Sequence, residues 1–185
     1  MRFLRRLNEP FQLEMSMAGV KLGTRVLQVG SSSGLIAALA TKVGLSGQAS
    51  VIVETRAGAD LVQRAAARAG VLLDVRVAPL GALPFEPASF DLVVVPDLIG
   101  NLRPEDRVLC LQQILRMLRP GGRCLVIEPM PRGGLGALFS RPARDRPYGR
   151  HGGAETALKE EGFRAVRVLA ERQGLLFTEG VKPAS

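Results

Sequence analysis

Tryptophan is absent, tyrosine and histidine occur once each, and phenylalanine only seven times in 185 residues. So few rings leave no platform of interleaved aromatics on which the bases of a single strand could stack. Cysteine is almost as scarce. Cys110 and Cys124 lie in apolar contexts, VLCLQ and GRCLVI, without metal-ligand spacing, so they are expected as buried reduced thiols rather than a disulfide or zinc site. No apolar run approaches the roughly 18–20 residues needed to span a bilayer, which argues for a soluble protein. The opening MRFLRRLNEPFQLEM has neither a continuous apolar stretch nor a small-residue cleavage site. A secretory signal is therefore not expected, and a cytoplasmic setting is.

What the chain has in excess is positive charge. With 25 Lys and Arg against 17 Asp and Glu, the net charge is +8, which favours an anionic partner: nucleic acid, an acidic lipid surface or an acidic protein. Two regions concentrate it. Arg2, Arg5 and Arg6 fall among Phe3, Leu4, Leu7 and Phe11, a short amphipathic segment that either packs as an N-terminal helix or makes peripheral contact with an anionic membrane or partner. Arg132, Arg141, Arg144, Arg146 and Arg150 crowd a Gly- and Pro-rich stretch, read as a long loop that is either solvated or suited to an acidic substrate or macromolecular partner.

Between these regions, short β-branched runs alternate with Ala/Leu-rich stretches. The runs are 25–30, 49–54, 72–77, 90–95 and 123–128, with 164–169 and 175–181 as further strands. Helices are expected at 35–43, 57–69, 105–118 and 154–161. Such alternation means βαβ units and a mostly parallel sheet covered on both faces. In the third helix, Val108, Leu111, Leu115 and Leu118 repeat at spacings of three and four, and Arg119-Pro-Gly-Gly122 stops it before a return into the next strand.

The segment Val29-Gly-Ser-Ser-Ser-Gly34 follows a strand and opens a helix. Small residues there allow a sharp turn, and the helix N-terminus offers unpaired N–H groups to a nucleotide. Twenty residues beyond Gly34, Glu54 ends the second strand, where a carboxylate in a doubly wound sheet can accept both ribose hydroxyls. Because Gly30, Ser32 and Leu35 do not make Gly-x-Gly-x-x-Gly, a dehydrogenase is disfavoured.

With Ala82-Leu-Pro-Phe-Glu-Pro-Ala-Ser-Phe-Asp91 and Leu118-Arg-Pro-Gly-Gly-Arg123 each leading into a strand, and Glu160-Glu-Gly-Phe163 ahead of the last two, the sequence resembles the class I S-adenosylmethionine (SAM) methyltransferases. The likeness is to the group that includes methyltransferase type 11 domains and the ubiquinone/menaquinone methyltransferases, and it runs from about residue 23 to 182. The resemblance implies an α/β fold: a three-layer, Rossmann-like, doubly wound sheet of seven strands, mostly parallel with the last antiparallel, over 23–185, after a short helical segment at 1–22. It implies SAM as cofactor, with Gly30, Ser31, Ser32 and Gly34 around its methionine part, Glu54 on the ribose and Leu80 near adenine. Three positions depart from the family. Its opening acidic residue is Gln28, which can hydrogen-bond but carries no charge for the SAM ammonium. Its middle glycine is Ser32, and the acidic residue that contacts the adenine amine is Pro79.

Candidate bases are Asp97, Glu128 and His151, since sheet C-terminal ends face the crevice; each also reads as a turn residue, a solvated strand end or a surface histidine. The first functional expectation is methyl transfer to a small-molecule or lipid-like acceptor. A catalytically silent subunit that binds a macromolecule is the alternative, and a nucleic-acid methyltransferase, lacking an Asn-Pro-Pro-Tyr type motif after the fourth strand, is third.

Overall fold

The computed structural model describes residues 10–130 and 146–184. Seven strands form one sheet: β1 (Arg25–Val29), β2 (Gln48–Val53), β3 (Asp74–Val77), β4 (Phe90–Pro96), β5 (Leu118–Pro129), β6 (Arg164–Arg172) and β7 (Leu175–Val181). Their order is β3-β2-β1-β4-β5-β7-β6. β1 to β5 are mutually parallel, and β7 runs antiparallel to both β5 and β6. This is the doubly wound sheet with an antiparallel last strand that the resemblance implied. The chain winds outward from β1 to β3, then returns to lay β4 on the other side of β1. The crevice of an open α/β sheet forms at such a reversal.

Near-continuous apolar strands are explained by burial on both faces. Along β1, Val26 faces one core while Leu27 and Val29 face the other. Helices α1 (Gln12–Ala18), α2 (Ser33–Val43) and α3 (Arg56–Ala69) contribute Ala18, Leu35, Leu39, Val43 and Val62 to the first core. On the opposite face, α4 (Pro104–Met117) and α6 (Gly153–Glu160) contribute Leu111, Ile114, Leu158 and their neighbours.

Two expectations are corrected. The apolar stripe of α4 is Cys110, Leu111, Ile114 and Met117, whereas Val108 is 39% exposed. Leu111 and Leu115 of the expected stripe do pack against the core, and burial of Cys110, Ile114 and Met117 beside them turns Val108 toward solvent. The stretch from 129 to 153, read as a loop, includes a short helix, α5 (Arg146–Arg150). Arg132, Arg141, Arg144 and the Arg2, Arg5, Arg6 cluster lie outside the described residues. Among the described residues, no helix is long and apolar enough to cross a membrane.

One buried charge ties the antiparallel end together. Glu179 in β7 is 3% exposed and pairs with Arg123 of β5 at 2.6 Å and Arg167 of β6 at 3.0 Å. Arg123 also donates to the Ala18 carbonyl at the end of α1, joining that helix to the sheet. Only Glu179 is desolvated, so losing it removes two charge-assisted hydrogen bonds while both arginines keep solvent contact, which limits the cost. Glu179→Ala is expected to cost about 1–3 kcal/mol, read as a lower urea midpoint at unchanged slope; an unchanged midpoint would mean that the pair contributes nothing.

Candidate functional site

β1 ends at the centre of the sheet, with β2 on one side and β4 on the other. Gly30 turns the chain there with φ 116°, a conformation essentially reserved for glycine, while its N–H donates to the Ile52 carbonyl at 2.9 Å. Ser32 caps α2 without a side-chain hydrogen bond, so the helix's opening N–H groups have no capping side chain. Thr55, just past β2, accepts from the Gly58 N–H at 3.1 Å and starts α3.

The three strand ends enclose a cavity of about 480 Å³ lined by Gly30, Ser31, Ser32, Ile52, Val53, Glu54, Thr55, Gly58, Leu80, Pro96, Asp97 and Leu98. Cavities of roughly 300–1,000 Å³ suit drug-sized ligands. Among the described residues, Glu54 and Asp97 are the charged members of this lining, and they sit on opposite sides of the Gly30 turn, at the ends of β2 and β4. A smaller recess of about 160 Å³ adjoins it, sharing Ser32, Pro96 and Asp97 and otherwise walled by Phe11, Glu14, Leu35, Ile127, Pro129 and Leu175.

Of the residues read from the sequence, Gly30, Ser31, Ser32, Glu54, Leu80 and Asp97 meet at this cavity. Gln28 and Gly34 do not line it. Gln28 is fully buried, and its Nε2 donates to the carbonyls of Gly30 and Ser32 at 2.9 and 3.1 Å. Two carbonyl partners fix which end is the amide nitrogen, and Oε1 is left buried with no partner. The side chain therefore clamps the turn from beneath. At Gly34 a Cβ would lie 2.5 and 2.7 Å from the Phe11 ring carbons Cε2 and Cζ, so this glycine makes room for the chain entering α1.

Asp97 follows β4 with a left-handed backbone, φ 45°, which aspartate tolerates better than most residues. Its N–H donates to the Ile127 carbonyl at 2.7 Å, and Asn101 Nδ2 donates to its carbonyl and Oδ1 at 3.1 and 3.2 Å. Strain held in place beside a cavity is a common mark of a binding site. His151 lines neither cavity; its Nδ1 lies 2.7 Å from the Pro147 carbonyl at the surface.

Glu128 is not a solvated strand end. It is partly buried on the α4 face, where a Cβ on Gly100 would meet its Oε1 at 3.0 Å and the Tyr148 ring at 3.1 Å. Arg107 stacks 4.2 Å from the centre of that ring. Burial pushes the Glu128 carboxyl above its ordinary range, against the opposing pull of Tyr148, the Gly100 N–H and Arg107, with Asp97 adding to the upward shift. Both cysteines are buried and free. Burial holds Cys110 up at about 12 and raises Cys124 as well, which keeps them protonated and inert.

Ile52, Val53, Thr55, Gly58, Pro96 and Leu98 also line the cavity without having been singled out in the sequence. For Thr55 and Gly58 a signal existed, since a threonine three residues before glycine at a strand-to-helix junction is a cap. For the others only the packing of neighbouring strand ends assigns the role.

Residues 27–126, more than half of the chain, match the family described as "Methyltransferase domain". The chain belongs to this methyltransferase family. The methyltransferase domain is 34% identical over 137 residues to the uncharacterized protein Rv1405c of Mycobacterium tuberculosis, covering 72% of this chain and 46% of that protein. It is 31% identical over 115 residues to the ubiquinone/menaquinone biosynthesis C-methyltransferase UbiE of Laribacter hongkongensis, covering 62% and 46%. The chain thus spans about half the length of the curated relatives it matches, 46% in both of these. In fold, it superposes on a SAM-dependent methyltransferase from Aquifex aeolicus with a TM-score of 0.75 over 97% of both chains, at 17% identity.

The shift at Glu128 has a stability consequence. A carboxyl whose folded pKa lies above its unfolded value binds the proton more tightly when folded. Its contribution is then complete below about 4.5 and is lost as pH rises through the folded value. Glu128→Gln should remove that decline, so urea midpoints measured from pH 4 upward should fall in the wild type and stay flatter in the variant. Parallel profiles would show that the carboxyl titrates normally.

Proposed function

We propose that this methyltransferase domain transfers the methyl group of SAM to a small acceptor with a largely apolar body. The observation that carries this reading is the pair of adjoining cavities at the β1 turn, the larger with a carboxylate on either side and the smaller mostly apolar. The larger fits SAM. Glu54 stands where both ribose hydroxyls can donate to it, Ile52 and Leu80 offer apolar surface to adenine, and the N-terminus of α2 favours a carboxylate. SAM supplies a methyl group made electrophilic by its sulfonium.

The protein's part is to hold the acceptor in line and dry. Ser32, Pro96 and Asp97 border both cavities, so an acceptor in the smaller recess lies against the mouth of the larger one. Phe11, Leu35, Ile127 and Leu175 would exclude water from its apolar body. Positioning of this kind can contribute several kcal/mol, roughly 7–11 at best. A quinone-like or other lipid-like acceptor suits these walls, and the relatives named as C-methyltransferases of quinone biosynthesis support that class.

The test is calorimetry with SAM and its demethylated product, S-adenosylhomocysteine. Both are expected to bind in the micromolar range, and Glu54→Ala should weaken them by about tenfold to a hundredfold, the worth of a charged hydrogen bond. Absence of binding at millimolar ligand would overturn the reading in favour of a silent domain that works through a macromolecular partner.

A further inference from the structure

We propose that Asp97 supplies the negative charge for the ammonium group of SAM, in place of the acidic residue that the family carries where this chain has Gln28. The inference rests on the SAM reading above and adds to it the assignment of the amino-acid end of the ligand.

Gln28 cannot do this work in the observed arrangement. Both donors of its amide group face carbonyl oxygens of the turn it clamps, and Oε1 is sealed from solvent and hence from a ligand in the cavity. A glutamate in the same pose would set its charge against the Gly30 and Ser32 carbonyls, so the glutamine belongs with this path of the turn. An ammonium in the cavity needs an acceptor, and a charged one is worth most.

Among the described residues, the lining provides two carboxylates, Glu54 and Asp97. Sheet order separates them by the width of β1: adjacent strands lie about 4.8 Å apart, so the ends of β2 and β4 stand roughly 10 Å from each other. A ligand whose ribose hydroxyls were held by Glu54 and which extended across the Gly30 turn would bring its amino-acid end to the β4 side of the cavity, which Asp97 lines. The Asp97 carboxylate is also held for the task. Its left-handed backbone is pinned by Ile127 and Asn101, and Asn101 takes Oδ1, which leaves Oδ2 for the ligand. This makes Asp97 a cofactor-binding residue rather than the base for the acceptor.

Asp97→Asn tests the point, because asparagine keeps the size, tolerates the left-handed backbone and removes only the charge. Calorimetry would compare three probes: S-adenosylhomocysteine, its decarboxylated analogue that keeps the ammonium, and 5′-methylthioadenosine, which lacks the whole amino-acid end. The variant should bind the first two about tenfold to a hundredfold more weakly and the third as the wild type does. Equal weakening of all three would overturn the assignment by showing a general distortion, and unchanged binding of S-adenosylhomocysteine would overturn it outright. Both results leave the SAM reading standing. A wild type that binds none of the probes would sink the SAM reading and this assignment together.

Discussion

The turn after β1 must leave the middle of a sheet, pass between the ends of two neighbouring strands and enter a helix within a few residues. The φ of 116° found at Gly30 is one that glycine adopts readily and side-chain-bearing residues rarely do, and the turn presents the carbonyls of Gly30 and Ser32, the second of which also accepts from the Ile36 N–H, toward the buried Gln28. The Gln28 amide donates to both. Its charge-neutral donor group is compatible with full burial, which a carboxylate at that depth is not without a partner. The cavity, the free N-terminus of α2 and the placing of Glu54 and Asp97 on either side all depend on this clamped turn. Gly34, in the first turn of α2, answers to a different neighbour, since the Phe11 ring packs where its side chain would be.

Charge is distributed against the overall balance. The chain carries +8, yet the charged residues lining the two described recesses are Glu54, Asp97 and Glu14. A sulfonium with an ammonium nearby is a cationic ligand, and an acidic crevice suits it. Net charge describes the long-range field, whereas the site answers to two or three groups at contact distance.

How far the site could be read from the chain differs residue by residue. Gly30, Ser31, Ser32 and Glu54 were legible because their positions follow from local rules: a small-residue turn after a strand and a carboxylate at the end of the next. Leu80 followed from the resemblance. Gln28 and Gly34 have the expected spacing yet do not line the cavity: the Gln28 side chain is buried beneath the turn, and Gly34 makes room for Phe11, neither of which spacing reports. Asp97 was visible as a strand-end acid, while its pinned geometry comes from Ile127 on another strand. Glu128 was misjudged as solvated since its burial is made by Gly100 and Tyr148, which lie far from it in the chain.

The sequence by itself determined the alternation of strands and helices and the central turn, because periodicity, glycine placement and helix stops act over a few residues, while the doubly wound topology was implied by the family resemblance. Most strand and helix ends moved by only one to three residues for the same reason, and β7 coincided with its expected span, whereas β5 begins at Leu118, five residues ahead of the expected start, and takes in the Arg119–Gly122 stop. The face of α4 that is buried, the Glu179 ion-pair knot, the clamping of the turn by Gln28 and the pinning of Asp97 were decided by the tertiary structure. Each depends on which distant groups arrive within hydrogen-bonding distance, and on whether a charge at that place keeps its water or loses it.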